Sequence, residues 1–232
     1  MKIQKHLRKL ASKEKAAILS RFFKTGPGQY GEGDVFLGIT VPKIRKTAKL
    51  YKDLILPEIK KLLRSKYHEE RMAALFMLLT QYKKGGEHLK NKIFRLYLAN
   101  TRHINSWDLI DLTTEHIVGK YLKDKPKDLL YELASSKNLW KKRIAMLSTF
   151  TYIKEGDCTE TLKIAKMLMN DDHDLIHKAV GWMLREVGKR CSTEKEEAFL
   201  KKHYKNMPRT MLRYAIERFP EAKRLKYLKG AI

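Results

Sequence analysis

Cysteine, proline, glycine and negative charge are all scarce in this sequence, and each shortage excludes something. The chain of 232 residues has 2 Cys, at positions 158 and 191, with neither a CxxC pair nor a zinc-ligand spacing. A disulfide framework and a cysteine-based metal site are therefore excluded, and both residues are read as reduced thiols. With 12 Gly and 6 Pro there is too little turn chemistry for a sandwich of many strands. No apolar run approaches the roughly 20 residues of a membrane span. The basic N-terminus, MKIQKHLRKLASKEKAAILSRFF, has no hydrophobic core of signal-peptide length. These absences predict a soluble, cytoplasmic protein without a membrane partner, nucleoid-associated if bacterial. Acidic residues number 26 against 50 Lys and Arg, a formal net charge of +24. An excess spread along the whole chain attracts a polyanion and makes binding salt-dependent, so nucleic acid is the expected partner.

What is present is helical pattern. Apolar residues make up 43% of the chain, and they recur at helical spacing almost everywhere, as in EIKKLLRSKYHEERMAALFMLLTQY. Period-two alternation is nearly absent. The fold class is all-α. The predicted spans are 3 to 24, 41 to 52, 55 to 64, 68 to 83, 87 to 100, 106 to 121, 126 to 136, 138 to 153, 159 to 170, 173 to 190, 193 to 206 and 208 to 218. Short connections make neighbours antiparallel pairs, and residues 1–232 are read as a single domain.

The pairs also repeat. Arg71-Met72-Ala73-Ala74, Arg143-Ile144-Ala145-Met146, Lys178-Ala179-Val180-Gly181 and Arg213-Tyr214-Ala215-Ile216 resemble one another, each near the start of the second helix of a pair. The last three recur every 35 residues or so, and the first gap is twice that, which puts a missing register at Trp107. A two-helix unit of about 35 residues is the mark of a HEAT-type solenoid. The expected molecule is a curved stack with Arg71, Trp107, Arg143, Lys178 and Arg213 along its concave, basic face. One turn later come Leu75, Asp111, Leu147, Trp182 and Glu217, on the same face because residues four apart are neighbours on a helix. Asp108 points elsewhere in this register, which makes Asp108→Asn a neutral control. The tryptophans can be core filling. Against that, a carboxylate facing a polyanion weakens binding unless it has chemistry to do.

Four stretches carry a family resemblance: VFLGITVPKIRK at 35 to 46, NSWDLID at 105 to 111, NLWKKRIAML at 138 to 147 and HKAVGWMLRE at 177 to 186. Together, in this order, they resemble the AlkD family of DNA alkylation-repair glycosylases, built from HEAT-like repeats. The resemblance implies excision of cationic alkylated purines, 3-methyladenine and 7-methylguanine, from double-stranded DNA by a monomeric, monofunctional hydrolase that needs no cofactor and no metal. It implies Asp111 as the catalytic carboxylate, Trp107 and Trp182 as aromatic walls, and Arg143 as a backbone contact. Arg185, Lys178, Arg71, Arg213 and Arg45 are further expected DNA contacts. Such enzymes need not flip the damaged base into a pocket, unlike most enzymes that act on bases.

Elementary chemistry agrees. A purine alkylated at N3 or N7 is already cationic and leaves as a neutral base without a general acid, while positive charge develops on the sugar. An ionised carboxylate stabilises that charge and orients water, and indole faces attract the same cation. The sequence departs from some relatives at Asp174 and Leu175, where they carry aromatics, and in the longer glycine-rich loop TGPGQYGEGD at 25 to 34. That loop matches GxGxxG by letter, but it follows a helix and not a strand, so a dinucleotide site is not expected. His173 and His177 lack a third metal ligand. A different class of function stays open: a HEAT-like module that binds unusual DNA or RNA structures without cutting them.

Overall fold

Residues 1–232 are described by the computed structural model, and all regular structure in it is helical. The one β-bridge pairs Val35 with Tyr67. No helix is long and apolar enough to cross a membrane. The chain divides into two compact units, Met1–Thr113 and Thr114–Ile232.

The first unit is organised around the helix His68–Lys84, which buries residues on all sides from His68 to Leu78. Its opening is charged, yet Glu69, Glu70 and Arg71 are buried. Buried charge is costly unless hydrogen bonds compensate for the lost water, and here each member has such partners. Glu69 accepts the backbone N–H groups of Leu37 at 2.8 Å, Gly38 at 2.8 Å and Ile39 at 3.1 Å. Glu70 accepts from Gln4 at 2.8 Å, Arg8 at 3.0 Å and Ser65 at 2.6 Å. The segment held by Glu69 passes very close to the N-terminal arm. Gly38 has φ of 80°, and a Cβ there would sit 2.1 Å from the Ser12 carbonyl oxygen, so only glycine fits.

The span expected as one helix from 3 to 24 is two, Lys2–Lys9 and Lys13–Phe22. Leu10 closes the first and Ser12 caps the second, its hydroxyl accepting from the Lys15 N–H at 3.3 Å, while the Ser12 N–H donates to the Leu37 carbonyl at 2.9 Å. The span from 106 to 121 is also interrupted. A short helix, Trp107–Asp111, is followed by a break and then by a π-helix, Glu115–Gly119. The Thr113 hydroxyl bonds the Leu109 carbonyl at 2.5 Å, a side-chain competitor for the backbone pattern.

In the second unit the pairs stack. Asp128–Ala134 leads into Leu139–Ser148, Thr159–Met167 into Asp174–Arg190, and Thr193–His203 into Arg209–Ala215. The three second helices contact one another in series. Asn138 caps the first of them, accepting from the N–H groups of Trp140 at 3.0 Å and Lys141 at 3.1 Å. Gly181 lets the third approach the second, since a Cβ there would lie 2.4 Å from the Met211 carbonyl oxygen. A final helix, Glu221–Lys229, was not expected from the sequence. Pro220 starts it, Gly230 ends it with φ of 74°, and Tyr227 anchors it in the interior.

Glu196 is 3% exposed, and its Oε1 has no hydrogen-bond partner. Burial, with the neighbouring Glu197 charge adding to it, pushes its carboxyl from 4.5 up to about 8. A pKa raised by folding stabilises the protein below the unfolded value of 4.5, and that contribution is lost as pH rises through about 8. Glu196→Gln keeps the neutral shape at every pH. Its melting temperature relative to the parent is therefore expected to climb between pH 5 and pH 9, as followed by circular dichroism. A constant difference across that range would contradict the buried-acid account.

Candidate active site

A helix as short as Trp107–Asp111 has little stability of its own, so its neighbours must hold it. Asp108 supplies the main tie. One oxygen of its carboxylate accepts the Leu109 N–H at 2.9 Å, and the other meets His68 Nε2 at 2.9 Å. The opposite ring nitrogen, Nδ1, lies 2.8 Å from Asp34. Arg71 donates to the same Asp34 oxygen at 2.8 Å and to the carbonyls of Ser65 at 3.2 Å and Lys66 at 3.3 Å.

An imidazole donating through both nitrogens is a cation. Burial works against that charge, but the hydrogen bonds it donates to Asp108 and then Asp34 outweigh it and raise His68 to about 9. Burial likewise pushes the Asp34 carboxyl up, and its bond to His68 and the charge of Arg71 reverse this to leave it lowered.

Stacked rings join the same elements. The His68 ring lies on Phe36 at 4.4 Å and 22°, Phe36 on Phe23 at 5.0 Å and 24°, and Phe23 on Trp107 at 5.2 Å and 18°. Phe22 meets Trp107 edge-on at 6.0 Å, and the indole Nε1 donates to the Tyr30 hydroxyl at 3.3 Å. Trp107 is half-buried, and so is Asp111 one turn along the same helix. The glycine-rich loop is thus tied to the tryptophan through Tyr30.

In the second unit, Trp182 is half-buried and its ring lies 5.9 Å from Phe150. Phe150 also faces Lys154 Nζ at 4.3 Å and the Arg190 guanidinium at 5.4 Å. Arg143 is 4% exposed and donates through Nη1 to the Leu175 carbonyl at 2.6 Å, on the helix that carries Lys178 and Trp182. Lys178 Nζ lies 2.7 Å from Asp174. Arg185 pairs with Glu217 and lies 3.7 Å from Glu186. Arg213 and Arg45 are exposed, the latter with its guanidinium 4.0 Å over the Phe76 ring.

Three expectations need correction. Arg71 was read as an outward rung for phosphates, but it is 4% exposed and committed to Asp34 and two carbonyls. A buried guanidinium with those partners serves the interior of its unit, and Arg143, read as a contact to the DNA backbone, is as deeply buried and holds the Leu175 carbonyl. Asp108 was read as a neutral control, but it is buried against His68, so no substitution there is neutral. His173 accepts the Leu175 N–H at 3.1 Å as a helix cap, His177 bonds the Asp171 carbonyl, and no cluster of three or more potential metal ligands forms. Sequence reasoning missed Phe23, Tyr30, Asp34, Phe36 and His68. The available signal was the concentration of scarce carboxylates and aromatics in residues 22–36 and around His68.

A family model described as DNA alkylation repair enzyme matches residues 3–219, a match that crosses both units. No curated protein matches the chain. Among solved structures, a predicted DNA alkylation repair enzyme from Enterococcus faecalis is similar with a TM-score of 0.69 at 16% identity, over 91% of this chain and 97% of that one. AlkD2 from Streptococcus mutans is similar with a TM-score of 0.55 at 18% identity, over 90% of this chain and 99% of its own. At these identities the likeness is one of fold.

Proposed function

We propose, because the chain belongs to the family of DNA alkylation repair enzymes, that it is a base-excision DNA glycosylase. It hydrolyses the N-glycosidic bond of cationic alkylated purines, 3-methyladenine and 7-methylguanine, in duplex DNA. The observation that carries this reading is the pairing of Trp107 with Asp111 on a helix braced from within by Asp108 and His68, in a chain of net charge +24. A carboxylate one helical turn from an indole, on a protein whose charge attracts phosphates, fits stabilisation of a developing sugar cation.

In this reading Asp111 stabilises the oxocarbenium-like sugar and orients the attacking water. The base departs neutral, taking the bonding pair, and water supplies the hydroxyl at the anomeric carbon, its other proton passing to solvent. Trp107 and Trp182 offer indole faces to the cationic sugar and base. Lys178, Arg185, Arg213 and Arg45 bind or steer the backbone of the duplex for a monomeric protein of HEAT-like repeats, while the buried Arg143 holds the helix that carries Lys178 and Trp182.

The deciding experiment incubates the protein with methylated genomic DNA and measures free 7-methylguanine and 3-methyladenine by mass spectrometry. Release of both is expected. Tight binding without release would leave a binding module in place of an enzyme. Affinity for duplex DNA is expected to fall steeply with salt, because each phosphate neutralised adds about −0.9 to the slope of log K against log salt. A slope steeper than about −3 between 50 and 300 mM is expected for several contacts, as read by fluorescence anisotropy. A flat profile would remove the phosphate-binding role.

A further inference from the structure

His68 touches both elements tied to Trp107. Through Nδ1 it meets Asp34, which closes the 25–34 loop carrying Tyr30, and Tyr30 takes the Trp107 indole N–H. Through Nε2 it meets Asp108, the residue after Trp107. Its ring face continues the stack of Phe36, Phe23 and Trp107. Three paths therefore lead from one imidazole to one indole, and Asp111 lies one turn beyond on the same short helix.

We propose that His68 is a positioning residue for the reaction: clamped between Asp34 and Asp108, it sets the ring of Trp107 and the carboxylate of Asp111 for work on the sugar. This rests on the glycosylase reading of that pair. His68 does not reach the substrate itself. It acts because a cation can donate to both carboxylates at once, whereas a neutral imidazole has a single N–H and must release one of them. Releasing Asp34 frees the loop with Tyr30, and releasing Asp108 frees the first turn of the helix, so either loss slackens Trp107. A group held only a little loosely from its productive geometry loses much of its effect on rate.

The groups facing the imidazole are few. Asp34 comes from the loop, Asp108 from the short helix, and Arg71 from one turn further along the helix of His68, paired to Asp34. The rings of Phe23 and Phe36 also lie against it. Both carboxylates favour the cation, so the clamp is closed at neutral pH and opens as pH rises through about 9.

The test uses the whole chain. The protein has 3 Trp; labelled with 5-fluorotryptophan, its Trp107 signal is assigned by Trp107→Phe and followed by fluorine NMR from pH 6 to 10.5. The Trp107 resonance is expected to move with a midpoint near 9, matching that of the His68 ring protons, and its failure to move would overturn the proposal. In parallel, single-turnover excision and duplex affinity are measured for the parent and for His68→Gln. The parent is expected to lose excision above a midpoint near 9 while still binding DNA. His68→Gln is expected to be about tenfold slower, with affinity within a few-fold and no alkaline limb. Equal rates with the limb retained would refute the clamp, as would rate and affinity falling together. Should the parent release no base at all, the glycosylase reading fails by itself, and the fluorine titration still decides whether His68 positions Trp107.

Discussion

Asp111→Asn is expected to slow release of alkylated purine by about 100-fold or more, the usual consequence of removing one preorganised electrostatic group. The amide keeps the size and shape of the carboxylate, so what disappears is the negative charge beside the sugar, and with it the stabilisation of positive charge in the transition state. Binding is expected to survive and to tighten, since a carboxylate repelled by phosphates has been neutralised. Single-turnover excision and anisotropy titrations on the same duplex separate the two effects. Parent-like release by Asp111→Asn would show that the chemistry is elsewhere. Arg143→Ala should show the opposite pattern: its buried guanidinium holds the Leu175 carbonyl on the helix of Lys178, so its loss lowers stability and, by loosening that helix, weakens binding to every DNA sequence.

The second large effect is on stability. Asp108→Ala is expected to cost about 3 kcal/mol, the lower end for breaking a buried ion pair, because it leaves the His68 cation with Asp34 alone, an acceptor already shared with Arg71. For a chain of this size that lowers the melting temperature by roughly 6 to 12 °C. The sequence register made Asp108 a bystander to Asp111, and a spacing argument could only say that the two side chains leave the helix in different directions. It could not say what Asp108 meets. Melting of Asp108→Ala within a degree or two of the parent would mean that the bridge to His68 contributes nothing to the fold.

The helical class and most element positions were legible because apolar spacing of 3.6 is local information, repeated many times along the chain. The breaks were less legible. The gap before Lys13–Phe22 is signalled only by Ser12, a capping residue inside an apparently continuous apolar pattern. The final helix had stronger punctuation, Pro220 before and Gly230 after, but its many lysines obscured the single anchoring Tyr227. At the candidate site, Trp107 and Asp111 stood out through repeat register and family resemblance. The bracing of their helix did not, because His68 lies 40 residues from Asp108 and 34 from Asp34. Contacts so distant in sequence leave no periodic trace. Arg71 shows the same limit in reverse: its register suggested a surface rung, and only the position of Asp34 reveals it as an interior partner.

The glycine-rich loop is fixed at both ends before its middle is considered. Thr25 is bonded back to the Ser20 carbonyl at 3.1 Å, while Asp34 is held by His68 and Val35 accepts the His68 N–H at 2.9 Å. For a loop with pinned ends, the entropy of closure grows only logarithmically with length, about 0.6 kcal/mol for each doubling. The middle is tied as well, the Gly31 N–H donating to the Lys24 carbonyl at 3.1 Å and the Gly28 N–H to Glu32 at 2.9 Å, so a change of length costs those bonds on top of the closure entropy. What changes is where Tyr30 arrives relative to the Trp107 indole. Loop length and the geometry at the tryptophan are therefore coupled through the same small set of bonds.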